Sequence, residues 1–143
     1  MYRCIVVGTD GSPRAQVAVD HAAALASATG AAIHLVQGCG SPVIASPLYG
    51  DATAVDPTEL VWACEAELEP TSAALTGRGL DVTVHVRTTT GQAALCEVAS
   101  DIDADVIVVG NRGMTGAKRL LGSVPNSVAH HAPCSVLIVP TDD

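Results

Sequence analysis

Aromatic side chains are scarce in this chain of 143 residues. It contains no phenylalanine, and its only aromatic residues are Tyr2, Tyr49 and Trp62. Proteins that bind single-stranded nucleic acid stack successive bases on aromatic rings, so these few scattered rings argue against that class. A single bound base would have to lie mostly between aliphatic side chains.

Positive charge is also scarce, and it is unevenly placed. Seven Lys and Arg residues against fifteen Asp and Glu residues give a formal net charge of −8, whereas nucleic-acid-binding domains normally carry a basic face. Three of these cations, Arg112, Lys118 and Arg119, lie within one glycine-rich stretch. Their concentration predicts a small anion as the partner. The alternative is a solvated loop that uses Lys and Arg for solubility.

Long hydrophobic runs and paired cysteine motifs are absent from the sequence. No apolar run approaches the roughly 18 residues of a membrane-spanning helix, and the first one is too short for a signal peptide. The five cysteines are odd in number, scattered and without a Cys-x-x-Cys motif: Cys4, Cys39, Cys64, Cys96 and Cys134. This usage predicts small buried residues in a reducing cytoplasm, with no metal or redox site.

What the sequence does contain is a regular alternation of strand and helix patterns. Short apolar runs predict five strands, at 4–7, 33–36, 82–86, 105–109 and 135–139. Helical patterns lie between them, and they predict a single-domain α/β fold over residues 1–143, with a five-stranded parallel sheet and helices on both faces. With the strand order 3-2-1-4-5, the loops after the first and fourth strands share the crevice where the order reverses.

Two interruptions of this pattern carry further expectations. Residues 38–56 contain several Gly and Pro residues and are predicted to be an irregular loop. A loop of this length serves either as a lid or partner surface or as a mobile connection. Pro70 lies inside the second helical pattern and is expected to kink or split that helix before Gly77 ends it.

The most specific motif is a pair of glycine clusters after the fourth predicted strand. Gly110-Asn111-Arg112-Gly113 is separated by eight residues from Gly122-Ser123-Val124-Pro125, where the last helical pattern begins. A strand, a glycine-rich loop and a helix N-terminus place backbone N–H groups around a phosphate. The spacing matches neither a P-loop nor the dinucleotide fingerprint. The alternative is an ordinary turn without a ligand.

Thr9 and Asp10 follow the first strand at the same predicted edge. The Asp10 carboxylate could accept a hydrogen bond from an adenine amine or orient a metal ion, or it could only form the Thr-Asp-Gly turn. No nucleophile elbow surrounds Ser123, so no catalytic residue is predicted. Slow ATP hydrolysis with Asp10 as the base is the alternative. No protein-held metal is predicted, because Asp101 to Asp105 lacks the remaining ligands of a calcium loop.

These segments resemble the universal stress protein family over nearly all of the chain. The resemblance rests on Ile5-Val-Val-Gly-Thr-Asp-Gly-Ser12, Val108-Val-Gly-Asn-Arg-Gly113, Leu121-Gly-Ser-Val124 and Val136-Leu-Ile-Val139. It implies the family's Rossmann-like fold, with Asp10 and Val36 at an adenine pocket and the glycine clusters around ribose and phosphates. The candidate nucleotide-binding residues are therefore Thr9, Asp10, Val36, Gly110, Arg112, Gly113, Gly122, Ser123 and Val124.

The resemblance also implies a cytoplasmic ATP-binding protein, with or without Mg²⁺, that acts as a nucleotide-responsive stress-tolerance homodimer. Its subunits would join through the strand from Ser135 to Val139, an apolar, uncharged edge strand that needs a cover. The eight residues between Gly113 and Gly122 are one fewer than in the family's nucleotide-binding pattern. Two alternatives stay open. One is binding of cyclic AMP, and the other is a nucleotide-free protein that works through protein interactions.

Overall fold

The computed structural model describes residues 1–40, 43–45, 52–54, 56–111 and 123–141. These residues form seven strands and four helices. In chain order they are β1 (Cys4–Gly8), α1 (Pro13–Thr29), β2 (Ala32–Gly38), β3 (Val43–Ala45), β4 (Ala52–Ala54), α2 (Pro57–Gly77), β5 (Val82–Arg87), α3 (Gly91–Asp101), β6 (Val106–Gly110), α4 (Ser123–His131) and β7 (Ser135–Val139).

Five of the strands form one sheet in the order β5-β2-β1-β6-β7. Every adjacent pair in it runs parallel. Counted within this sheet alone, the order is 3-2-1-4-5, so the predicted topology is confirmed. The chain builds outward from β1 to β5 on one side and then crosses to β6 and β7 on the other. The strand order therefore reverses between β1 and β6.

Helices cover both faces of the sheet because alternate strand residues point to opposite sides. In β2, Leu35 faces α1 and α2, where it joins Val19 and Leu75 in one apolar cluster. Val36 faces the other way and joins Leu95 of α3 in a second cluster, to which α4 also contributes. Each side chain of this size contributes about 1.5–3 kcal/mol when it is fully buried. The predicted two-sided α/β arrangement is confirmed.

One local prediction is wrong, and a second is wrong in part. The segment 38–56 contains a short antiparallel hairpin in which β3 pairs with β4. These strands have only three residues each, which is shorter than the runs from which strands are recognised in a sequence. The second helix does not split at Pro70, since α2 runs without a break to its predicted end at Gly77, and a kink at Pro70 stays a prediction. An interior proline costs about 3 kcal/mol, and burial of Leu68 and Leu75 on the neighbouring turns offsets that cost.

The boundaries of α1 follow the predicted capping residues. The Ser12 side chain accepts a hydrogen bond from the Ala15 N–H at 3.2 Å, which satisfies a donor that the helix cannot pair internally. At the other end, Gly30 adopts a left-handed conformation with φ 75° and donates its N–H to the Ala26 carbonyl. Both predicted caps are confirmed. None of the helices in the described ranges combines the length and the hydropathy that crossing a bilayer requires.

A histidine pair joins β2 to the edge strand β5. His34 Nδ1 lies 2.9 Å from His85 Nε2, so the two rings share one proton. Burial lowers the pKa of His34, partly opposed by the charge of Asp81. Burial, followed by the charges of His34 and Arg87, lowers the pKa of His85, with Asp101 opposing. The native fold therefore favours the neutral form of both rings.

We expect this pair to make the protein less stable in acid. In the unfolded chain each histidine has its ordinary pKa of 6.5, so the unfolded state takes up protons below that pH while the native pair resists them. The free energy of unfolding should therefore fall as the pH drops from 6.5 through the lowered native pKa values. Melting temperatures measured between roughly pH 7.5 and pH 5.5 should show this loss.

The variant His85→Gln should flatten this pH dependence, because only one titrating ring remains. His21→Gln is the matched control, since His21 is exposed on α1, and it should keep the wild-type slope. A wild-type slope in His85→Gln would contradict the role of the pair.

Candidate functional site

The candidate site lies at the carboxyl edge of the sheet, between β1 and β6. Val7 is paired with Val108 in these neighbouring strands, so Thr9 and Gly110 leave the sheet side by side. At such a reversal of strand order the two following loops diverge to opposite faces and leave a crevice between them. The structure thus brings together the start of both loops that were predicted to share a crevice.

The loop after β1 is a tight turn held by its own side chains. The buried Thr9 donates its N–H to the Val36 carbonyl at 3.0 Å, and its Oγ1 accepts from the Gly11 N–H at 3.1 Å. Asp10 is exposed, and its Oδ1 accepts from the Ser12 N–H at 2.9 Å. Gly11 has a φ of 78°, a left-handed value that favours glycine. Asp10 therefore forms the turn and also presents a carboxylate at the crevice.

Val36 contributes its main chain to this edge. Its side chain is only 1% exposed and packs in the apolar cluster beneath α3, while its carbonyl holds the Thr9 N–H. The side chain therefore supports the floor of the sheet and does not line an open pocket. The role of Val36 at an adenine pocket stays a prediction.

Helix α2 closes one side of the first loop. A Cβ added to Gly11 would lie 3.4 Å from the Glu67 carbonyl oxygen, so loop and helix are in close contact. Gln37, the residue after Val36, donates from Nε2 to Glu67 Oε2 at 3.2 Å. Gln37 Oε1 is buried and has no partner among the described residues. The Gln37 amide thus lies beside the Glu67 carboxylate, where α2 packs against the end of β2.

The loop after β6 is anchored by the residues that follow β7. Asn111 Oδ1 accepts from both the N–H and the Oγ1 of Thr141, each at 3.0 Å. The Asn111 N–H donates to the Val139 carbonyl at 2.8 Å. A Cβ at Gly110 would lie 2.8 Å from Thr141 Cγ2, closer than carbon atoms approach in proteins. A larger residue at 110 would therefore force the Thr141 side chain to move, whether or not a ligand is present.

The N-termini of α1, α3 and α4 lie at this same edge, because each helix follows the carboxyl end of a strand or its loop. The end of β2 abuts the start of α3, since a Cβ on Gly38 would lie 2.5 Å from the Thr90 carbonyl oxygen. Val124 of α4 reaches to 4.0 Å from a Cβ placed on Gly91 of α3. None of these three helices has an acidic residue in its first turn. Their positive dipole ends are therefore not neutralised by carboxylates of their own.

Several predicted site residues lie outside the described part of the chain. These are Arg112, Gly113 and Gly122, together with Lys118 and Arg119 of the predicted cation cluster. The eight-residue spacing between Gly113 and Gly122 therefore stays a prediction. Ser123 is the first residue of α4, as the motif predicts. Within the described ranges, no group of three or more His, Cys, Asp or Glu side chains could hold a metal ion.

Sequence reasoning missed Asn111, Thr141, Gln37 and Glu67. Asn111 lies inside the glycine motif, where a side-chain amide could have indicated an anchoring hydrogen bond. Thr141 is 30 residues further along the chain, and no local pattern connects the two. Gln37 and Glu67 are likewise joined only by tertiary packing of α2 against the end of β2.

Comparisons with known proteins point in one direction. The sequence model of the universal stress protein family matches residues 1–140. Universal stress protein A homolog 1 of Coxiella burnetii is 30% identical over 141 residues, which cover 96% of this chain and 96% of that protein. A universal stress protein of Synechocystis sp. is 52% identical over 50 residues, which span 34% of this chain and 46% of the relative.

Among solved structures, a universal stress protein in complex with cAMP is similar to this chain. The two are 33% identical, with a TM-score of 0.74, and the match covers 99% of this chain and 98% of the other. The similarity therefore extends over the whole sheet and its helices.

We expect Asn111→Ala to destabilise the fold, because it removes the acceptor of two hydrogen bonds and leaves the buried Thr141 N–H unpaired. The free energy of unfolding in urea should fall by about 1–3 kcal/mol. Asn111→Asp is the matched control, since it keeps an acceptor oxygen at the same place, and it should retain most of the stability. Equal stability of Asn111→Ala and the wild type would show that this anchor contributes nothing.

Proposed function

This chain belongs to the universal stress protein family, and from that premise we propose that it binds an adenine nucleotide at the crevice between β1 and β6. ATP is the first candidate, and binding would make the protein a nucleotide-responsive regulator of stress tolerance. The observation that carries the proposal is the set of three helix N-termini, without acidic first turns, at one sheet edge. Such ends attract the charge of a phosphate group.

The parts of the nucleotide have different partners in this proposal. The phosphates take the N-terminus of α4, which begins at Ser123 and Val124. The adenine lies toward the first loop, where the Asp10 carboxylate is exposed and can accept from an exocyclic amine. Mg²⁺ would arrive with the phosphates, because this ion is usually bound through one or two carboxylates plus substrate phosphates.

Cyclic AMP is the second candidate. The solved universal stress protein that is 33% identical to this chain holds cAMP, and that protein shares the fold along its whole length. Cyclic AMP carries one phosphate, so it needs less of the loop between Gly113 and Gly122 than a triphosphate does. The remaining alternative is a protein that works without a nucleotide, through protein contacts.

We propose that the nucleotide acts as a bound regulator and not as a substrate. A general base must have a free acceptor within hydrogen-bond reach of the attacking water. In this proposal the Asp10 carboxylate accepts from the adenine amine and so lies away from the phosphates, and Glu67 Oε2 accepts from Gln37 Nε2. ATP turnover that is lost in Asp10→Ala would overturn this assignment. The cytoplasm is the proposed compartment, which the free thiol state of all five cysteines supports.

Calorimetric titration of the protein with ATP and Mg²⁺, with cAMP and with adenosine tests the ligand. A bound ligand at about 100 times its Kd should raise the free energy of unfolding by about 2.7 kcal/mol and so raise Tm. Competition between ATP and cAMP would assign both to one site and rank them. If neither ligand gives heat or a shift in Tm, the nucleotide-free alternative replaces the proposal.

The variant Val124→Asp should weaken nucleotide binding beyond the loss of packing that it shares with Val124→Asn, since Val124 is partly buried against the cluster beneath α3. A carboxylate in the first turn stabilises a helix but repels a phosphate, so affinity for the chosen nucleotide should fall about tenfold. Val124→Asn, of similar size but neutral, should bind nearly as well as the wild type. Adenosine has no phosphate, so its binding should be lost only if the crevice is disturbed and not if the carboxylate merely repels the phosphate. An equal loss of adenosine binding would mean that the crevice itself is disturbed.

We propose a second copy of this chain as the partner of β7. This strand lies at the edge of the sheet and contains no charged residue, and its Leu137 is 40% exposed. Edge strands that stand alone are usually protected by charge or by a cover. Pairing of two β7 strands about a two-fold axis would bury this apolar edge.

The variant Leu137→Asp should shift the protein from dimer to monomer in light scattering after size exclusion, because it places a charge in the proposed contact. Trp62→Ser is the control, since Trp62 is 64% exposed on α2, away from β7, and should leave the mass unchanged. A dimer that survives Leu137→Asp and dissociates with Trp62→Ser would move the interface to α2.

A further inference from the structure

Two cysteines that are far apart in the sequence meet beside the carboxyl end of β2. Cys39 follows β2, and its Sγ donates to the Arg87 carbonyl at 3.3 Å. Cys64 lies on α2 with only 7% of its surface exposed. Cys39 lies close enough to Cys64 to raise the pKa of its thiol, and both cysteines are free. Neither residue takes part in the nucleotide site proposed above.

A neighbouring contact supports this proximity independently. Gln37 and Cys39 are two positions apart, and the Cys39 N–H continues the ladder by donating to the Arg87 carbonyl at 2.9 Å, so both side chains leave the same face. Cys64 and Glu67 are three positions apart on α2, so they share a helix face. Gln37 Nε2 donates to Glu67 Oε2 at 3.2 Å. Helix and strand end therefore run side by side at this contact, and Cys39 and Cys64 occupy the next positions along the same two faces.

We propose that Cys39 and Cys64 form a reversible disulfide, which makes this part of the protein a thiol redox switch. The oxidant is a low-molecular-weight disulfide of the glutathione class. The switch concerns the junction of β2 and α2, and it stands whether or not a nucleotide binds.

The reaction proceeds by two thiol–disulfide exchanges. Cys39 is the more exposed of the two thiols, so its thiolate attacks the small disulfide and releases one small thiolate. Cys64 then loses its proton and attacks the Cys39 sulfur, which breaks the mixed disulfide and releases the second small thiolate. Two protein thiols are oxidised by two electrons, one small disulfide is reduced to two thiols, and the two protons pass to the released thiolates.

The second exchange should be the slow one. Burial, and then the neighbouring Cys39 thiol, raises the pKa of Cys64 to about 11, so little of Cys64 is thiolate at neutral pH. The nucleophile in this chemistry is the thiolate. Closure of the mixed disulfide should therefore accelerate about tenfold for each pH unit between roughly pH 7 and pH 9. A rate of closure that does not change with pH would overturn the role of Cys64.

Disulfide formation closes a loop from Cys39 to Cys64 that contains β3, β4 and the start of α2. A cross-link of this kind stabilises the fold mainly by restricting the unfolded chain. We expect the oxidised protein to melt about 5–10 °C higher than the reduced protein. An unchanged or lower Tm would mean that the native geometry cannot accept the bond without distortion.

The direct test is to treat the reduced, folded full-length chain with oxidised glutathione and to map its cysteines by mass spectrometry. Trypsin leaves both cysteines in one peptide, because no Lys or Arg lies between Arg14 and Arg78. A Glu-specific protease separates them by cutting after Glu59. A linked pair of Cys39 and Cys64 peptides supports the proposal.

Matched variants complete the test. Cys39→Ser and Cys64→Ala should each abolish the link and the rise in Tm. Cys96→Ser is the control and should keep both the link and the rise in Tm. Cys96 has a neighbouring cysteine of its own, Cys134, whose pKa is raised by burial and then by the charge of Cys96. If Cys64→Ala does not fold, Cys39→Ser at its half-buried position decides alone. A link between Cys96 and Cys134 instead, or glutathione that stays on Cys39 in the wild type, would overturn the proposal.

Discussion

The parallel pairing of β1 with β6 places the two special loops side by side and sends the helices to opposite faces. A carboxylate fixes this pairing at the amino edge: Asp105 accepts the N–H groups of Arg3 at 2.7 Å and Cys4 at 2.9 Å. These two bonds lower the pKa of Asp105. The carboxylate therefore stays ionised, and its oxygens continue to accept both N–H groups. A slip of one residue would exchange the two faces of every side chain in β6. The crevice at the opposite edge therefore depends on the register that is set here.

The sheet could be predicted from local patterns because burial on both faces leaves a strong signal. β1 and β6 are continuous apolar runs with fully buried centres, and capping by Ser12 and Gly30 marks the ends of α1. The rules for parallel crossovers fix their handedness but not the strand order, so the order 3-2-1-4-5 rested on the Rossmann-like fold that the resemblance implied. The hairpin of β3 and β4 was missed because three-residue strands carry no periodicity. The predicted split at Pro70 was wrong because the packing of α2 outweighs one lost hydrogen bond.

The candidate site could be predicted only in outline. Topology alone places Thr9, Asp10 and Gly110 at the carboxyl edge of the sheet, because they lie at the ends of β1 and β6. The enclosed side chain of Val36 depends on which face of β2 packs beneath α3, and a single buried strand does not reveal its faces by alternation. The anchor between Asn111 and Thr141 and the meeting of Cys39 with Cys64 arise from residues brought together only by folding.

The side-chain anchors at the two edges of the sheet, Asp105 at one and Asn111 at the other, also determine where a tag or linker is best attached. Asp105 holds the backbone of Arg3 and Cys4 at the edge away from the crevice, so a purification tag or a surface linker joined before Met1 would emerge clear of the loops. Thr141 is tied to Asn111 at the crevice itself. A fusion placed after Asp143 would begin within a few residues of the mouth and could obstruct it. Immobilisation for binding measurements is therefore best made through the amino end.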